Sequence, residues 1–112
     1  MDQRVRRVIA FMEDNLHRKI TPIEAAESVR LSPSYLRHLF KDETGTSVAR
    51  YLRELRLKRA KHLLETTFLS VKEVASTVGL YGVSHFVRDF EKAYGLTPAR
   101  YAERHRKASQ KS

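Results

Sequence analysis

A chain of 112 residues with 22 Lys and Arg against 13 Asp and Glu carries a formal charge of +9. That is enough chain for one modest domain or two small lobes, too little for a catalytic cleft beside a separate binding domain, and so basic that a polyanion is the expected partner, nucleic acid first and an anionic membrane surface second. The absence of cysteine excludes disulfides, thiolate metal sites and thiol nucleophiles, and with no apolar run of ~18 residues and no signal segment the chain is expected to work in the cytoplasm.

Over residues 4–17, Val5, Val8, Ile9, Met12 and Leu16 recur at the spacing of a helix with one buried stripe. This first helix is expected to act as a brace, with Arg4, Arg6 and Arg7 forming a solvated helix start. Thr21, Pro22, Ile23 and Glu24 then give a strong start signal. The Thr21 hydroxyl can accept from the Glu24 amide, Glu24 can reach back, and Pro22 sits where its missing N–H costs nothing. A short helix from 22 to about 30 follows. Ser32 caps again with Pro33 after it, opening a second helix that turns Leu36, Leu39 and Phe40 inward and stops near Gly45. Two short helices with a tight connection make a helix-turn-helix. The second leaves Ser34, Tyr35, Arg37, His38 and Lys41 on faces the core does not need, Tyr35 having a partly buried reading as well. These types suit base edges and phosphates: Arg bonds guanine in two places, His and Ser donate or accept, and Tyr packs on sugar or a thymine methyl.

Residues 46–66 read as one long basic helix, capped by Thr46 or Ser47 and lacking any breaker. Its apolar positions do not form one stripe: Val48, Leu52 and Leu55 share one side, whereas Leu57, Ala60, Leu63 and Leu64 are rotated around the axis. Each half is therefore expected to pack on a different neighbour. About 20 residues at ~1.5 Å rise give roughly 30 Å, close to the ~34 Å of a DNA turn. Arg50, Arg53, Lys58, Arg59 and Lys61 are left for solvent, for Glu54 and Glu65, or for phosphates.

Beyond this rod the chain repeats itself. At an offset of 49 residues, rising to 50 after Leu80, Glu73 falls on Glu24, Ala75 on Ala26, Val78 on Val29, Leu80 on Leu31, Phe86 on Leu36, Phe90 on Phe40 and Gly95 on Gly45. Ser70, Val71, Lys72 and Glu73 form a second capping box, Gly79 ends the helix in a left-handed conformation, and residues 82–94 form the partner helix around Phe86, Phe90 and Tyr94. With Gly82 at its start, its free set is Val83, Ser84, His85, Val87 and Arg88. This set is less polar than the first and suits thymine methyls or the DNA backbone. Thr97 and Pro98 start a last short helix with Tyr101, and a frayed basic tail is expected from Arg104 onward. The organisation expected is all-α: a first helix-turn-helix subdomain with its brace over 1–45, a linker helix over 46–66, a second helix-turn-helix subdomain over 67–105 and a tail over 106–112.

Ala25, Ala26, Leu31, Ser32, Tyr35, Leu36, Phe40, Lys41, Gly45, Tyr51, Leu52, Arg56, Ala60, Leu63 and Leu64, followed by Val74, Ala75, Val78, Gly79, Leu80, Phe86, Arg88, Phe90, Gly95, Pro98 and Tyr101, resemble the AraC/XylS family of bacterial transcription regulators. The resemblance covers nearly the whole chain. It implies about seven helices, with the second helix of each subdomain in successive major-groove segments of double-stranded DNA. The base contacts it implies are Ser34, Arg37 and His38 in the first unit and Val83, Ser84, Val87 and Arg88 in the second. Leu80, Val87 and Glu91 depart from the family pattern, which bears on the second unit's base preferences and one phosphate contact. The implied partners are promoter operator DNA and RNA polymerase, with activation as one regulatory outcome, at the nucleoid. Most relatives carry an effector-binding or dimerisation domain, expected here on a longer parent chain.

Rival readings fare worse. His17, His38, His62, His85 and His105 are scattered, with no i, i+4 pair for zinc, so neither an enzyme nor a metal or cofactor is expected. The apolar residues are divided among short capped helices rather than gathered on one amphipath, which argues against a membrane surface. RNA modules stack bases on exposed aromatics, whereas most Phe residues here read as buried.

Overall fold

The computed structural model describes residues 1–110, with side chains through Arg106. Among these the chain forms seven helices and no strand: α1 Gln3–Asp14, α2 Pro22–Glu27, α3 Pro33–Thr44, α4 Val48–Thr66, α5 Val71–Thr77, α6 Val83–Tyr94 and α7 Pro98–Gln110. They belong to two compact units, Met1–Leu55 and Arg56–Ser112, and the division falls within α4.

In the first unit Val5, Val8, Met12 and Leu16 meet Ala25, Ala26, Leu36, Phe40 and Leu52 in one core, with Val48, Tyr51 and Leu55 packed against it. Phe40 and Tyr51 meet edge to face, their centroids 5.3 Å apart. The second unit has its own core from Leu57, Ala60, Leu64, Val74, Ala75, Val78, Phe86, Phe90, Tyr101 and Ala102. Phe90 is its hub, edge to face with Phe86, Tyr94 and Tyr101 at 5.8, 4.8 and 5.5 Å. The rotated apolar positions of α4 thus serve two cores: Leu52 fills the first, and Leu57, Ala60 and Leu64 fill the second.

Both helix-turn-helix turns use one backbone device. In the first, the Leu31 amide donates to the Ala26 carbonyl at 3.0 Å and the Arg30 amide to Glu27 at 3.1 Å; in the second, Leu80 donates to Ala75 at 2.8 Å and Gly79 to Ser76 at 3.2 Å. Such a closure requires a left-handed residue. Gly79 supplies it at φ 78°, but in the first unit the residue is Arg30 at φ 59°. The sequence reading carries the first of these helices to about residue 30, whereas α2 ends at Glu27, because this reversal needs the intervening residues.

Three further expectations are corrected. Glu24 does not close a capping box: Thr21 Oγ1 accepts from its amide at 3.1 Å, but its carboxylate pairs with Arg18 at 2.8 Å. Lys61 is not a free rod cation, since its Nζ lies 5.1 Å from the centre of the Tyr94 ring. The C-terminal segment is not frayed from Arg104, because α7 runs to Gln110. Arg106 Nη2 donates to the carbonyls of Thr67 at 3.1 Å and Leu69 at 2.7 Å, and the Tyr101 hydroxyl donates to Glu65. Burial, and then the Glu65 carboxylate, push the Tyr101 phenol above its usual value. The tail residues 111 and 112 lie outside the described residues.

Candidate nucleic-acid interface

The second helix of each unit is built to bury one face and leave the other free. In α3, Ser32 Oγ accepts from the Tyr35 amide at 3.1 Å and Pro33 occupies the first turn, so the helix starts at a fixed residue. Leu36 and Phe40 go into the core. Ser34, Arg37, His38 and Lys41, at i, i+3, i+4 and i+7, then share the opposite face, and all four are exposed, as are Ser32 and Tyr35. Tyr35 is 51% exposed, which rules out its partly buried reading. Ser34 and Arg37 also border an apolar cavity of about 450 Å³ between the starts of α2, α3 and α4, with Pro22, Pro33, Val48 and Ala49 in its walls.

In α6 the plan recurs with different chemistry. Gly82 is the N-cap residue and offers no side-chain cap. Phe86 and Phe90 are buried, Val83, Ser84, His85 and Arg88 are exposed, and Val87 is half-buried. The helix ends like α3, on a left-handed glycine: Gly45 at φ 77° and Gly95 at φ 82°. Position for position in the repeat, Arg37 and Lys41 of α3 correspond to Val87 and Glu91 of α6. The first face therefore concentrates positive charge, whereas the second sets the cation of Arg88 against the carboxylate of Glu91.

Two side chains beside these faces were not singled out as site residues. Tyr81, 66% exposed, stands immediately before α6. It is the extra residue that shifts the repeat offset from 49 to 50, so the repeat itself carried the signal. Burial pushes the nearby Arg56 guanidinium below its ordinary value, with Tyr81 acting in the opposite direction. Arg4 of α1 lies over the Tyr35 ring, 5.5 Å from its centroid, a contact between distant residues that periodicity does not encode.

Along α4, Ser47 is the cap, accepting from the Arg50 amide at 3.1 Å. Arg50 pairs with Glu54 one turn on, and Arg53, Lys58 and Arg59 are exposed. Among the described residues no group of three or more His, Asp or Glu is placed to hold a metal ion. No helix among them is long and apolar enough to cross a membrane.

Residues 25–104 match a family model described as a helix-turn-helix domain. The chain is 36% identical over 98 residues to the HTH-type transcriptional regulator GadX of Escherichia coli, covering 88% of this chain. It is 36% identical over 102 residues, 90% of this chain, to the arabinose operon regulatory protein of Escherichia coli. It spans 35% of the length of each of these curated relatives. Among solved structures it is similar to a DNA-binding transcriptional dual regulator from Escherichia coli, with a TM-score of 0.86, 32% identity and 96% of both chains covered. It is also similar to the DNA-binding domain of AdpA, a global transcriptional factor solved with a target DNA, with a TM-score of 0.89, 25% identity, and 99% of this chain and 100% of that one covered. On the match over residues 25–104 and the 36% identity to these regulators, the chain belongs to the AraC/XylS family of DNA-binding transcription regulators.

Proposed function

We propose that this chain binds operator DNA at a promoter by placing α3 and α6 in successive major-groove segments of one duplex. Ser34, Arg37 and His38 read bases in the first segment, with Tyr35 packing beside them. Val83, Ser84, Val87 and Arg88 engage the second, through apolar contacts to thymine methyls and one cation. Ser32, Lys41, Gly82 and His85 border these sets and meet the sugar-phosphate backbone. The observation that carries this reading is the repeated one: each unit buries the same two positions of its second helix, Leu36 and Phe40 in α3 and Phe86 and Phe90 in α6, and exposes Ser34, Tyr35 and His38 in the one and Ser84, His85 and Arg88 in the other, on a chain of charge +9.

Binding needs no cofactor and involves no catalysis. Its product is a changed rate of transcription, activation included, through RNA polymerase at the same promoter. A longer parent chain supplies the effector or dimerisation domain, and the complex works in the cytoplasm at the nucleoid.

Selection from a random duplex pool, followed by a salt titration, tests this. The expected result is an enriched motif spanning two adjacent groove segments. With six to ten phosphate contacts, affinity should fall by ~10³ to 10⁵ between 50 and 200 mM salt. A flat salt response, or no enriched motif, would refute the reading.

A further inference from the structure

At the start of α1, Asp2 does two things at once. Its Oδ1 accepts from the Arg4 amide at 2.7 Å and so caps the helix, while Oδ1 and Oδ2 accept from Arg4 Nε at 3.2 Å and Nη2 at 3.0 Å. This two-point fork fixes the plane of the guanidinium. Its carbon lies 5.5 Å from the centre of the Tyr35 ring. The Tyr35 backbone is fixed as well, since its amide donates to Ser32 Oγ. Yet the residue remains 51% exposed, in the first turn of α3. The Arg4 and Asp2 side chains are themselves 41% and 22% exposed.

Resting on the reading of α3 given above, we infer that Asp2 and Arg4 are positioning residues for DNA recognition, fixing the Tyr35 ring before the duplex arrives. An exposed tyrosine must otherwise give up rotamer freedom when it binds, and a ring already held gives up less. The alternative, that Arg4 is itself a phosphate contact, is disfavoured by its partner. A guanidinium forked onto a carboxylate forms a neutral pair with little net charge to exchange for counterions. Asp2 therefore spends Arg4 on orientation rather than on attraction.

The test uses the selected duplex and its single-base-pair variants, with affinity and salt slope measured for the whole chain. Asn caps a helix about as well as Asp, so Asp2→Asn keeps α1 and releases the cation. It is expected to tighten binding to every duplex, to steepen the salt slope by up to ~0.9 as one more phosphate is neutralised, and to weaken discrimination at the base pairs nearest Tyr35. Arg4→Ala should reduce that discrimination on the order of two- to fivefold, the fold-change of a cation–π contact, with the salt slope unchanged. It should have no further effect in a Tyr35→Ala background. Arg4→Lys keeps the charge but not the fork and should not rescue. A uniform loss of affinity with a shallower slope, equal in both backgrounds, would make Arg4 a phosphate contact and overturn the proposal. So would an unchanged Arg4→Ala protein where Tyr35→Ala and Arg37→Ala do lose discrimination, which would leave the reading of α3 intact. If Tyr35→Ala and Arg37→Ala also change nothing, that reading falls and the proposal falls with it.

Discussion

The starts of the two second helices solve one problem in opposite ways. At α3 a serine side chain caps the first turn, a proline follows it, and the free face carries Arg37 and Lys41. At α6 the capping position is glycine without a side-chain bond, valine follows it, and the corresponding positions are half-buried Val87 and exposed Glu91. The turns before them are mismatched in the other direction: the second unit has glycine where the backbone is left-handed, and the first has Arg30. The first unit thus invests in a well-anchored, charged helix on a strained turn, and the second in a relaxed turn before a loosely capped, more apolar helix. The two units share a backbone plan and the buried positions of their second helices, and differ in outward positions and caps.

The largest expected effect tests whether the two cores are separate. Phe40→Ala and Phe90→Ala should each cost ~3 to 5 kcal/mol, Phe90→Ala at the upper end because Phe90 meets three rings. Residue-resolved hydrogen exchange should show protection lost over 1–55 for the first and over 56–106 for the second. Protection lost throughout in both would make one cooperative body of them. Next comes the contrast in charge. Arg37→Ala should cost ~1 to 3 kcal/mol in operator affinity and relax preference at one or two base pairs. Val87→Ala at the matching position should cost less than the arginine change, no more than ~1.6 kcal/mol even if both lost carbons were fully covered, and less for a half-buried side chain. Equal losses would erase the distinction between the two faces.

The caps come third. Ser32→Ala should destabilise by ~1 kcal/mol, whereas Gly82→Ser should stabilise by only ~0.3 kcal/mol. The new Cβ would meet the His85 ring 3.2 Å away, and that ring can swing aside. Arg30→Gly should stabilise by ~0.5 to 1 kcal/mol as left-handed strain is removed, net of glycine's greater freedom when unfolded, and Gly79→Ala should cost ~1 kcal/mol. Chemical denaturation reads these four variants. The smallest effect is in acid. The Ser70 amide and hydroxyl hold the Glu73 carboxylate below its ordinary 4.5, so its contribution is complete above that value and fades as pH falls through the lower folded one. An NMR titration should find Glu73 protonating late, and Ser70→Ala should move it back up.

Local signals were the legible ones. Helix starts at Thr21, Ser32 and Ser70, the glycine stops at Gly45 and Gly95, and the divided duty of α4 all follow from spacing within a turn or two, and each is found in place. The exposed face of α3 was legible too, and that of α6 apart from Val87, which is half-buried, because burying Leu36, Phe40, Phe86 and Phe90 decides what is left over. What escaped was partnership across the chain. Glu65 was one of three destinations left open for the rod cations, beside solvent and phosphates, and it accepts from Tyr101, 36 residues away. Lys61 goes to Tyr94 and Arg4 to Tyr35. A long polar side chain reaches several neighbours, and which one it takes depends on packing that no periodicity records. Arg30 escaped for a different reason: a left-handed arginine has no residue signature, and only its alignment with Gly79 hints at it.

The grip of Arg106 on the carbonyls of Thr67 and Leu69 has a practical corollary for anyone recloning the domain. A stop codon placed just ahead of it would look harmless, since the family match ends at residue 104. It would nonetheless unlatch the stretch between α4 and α5 and remove the guanidinium that lies 5.6 Å from the centre of the Phe68 ring, a side chain already 81% exposed. A sticky, aggregating product from such a trimmed gene would then report a missing clasp rather than a fault in the fold.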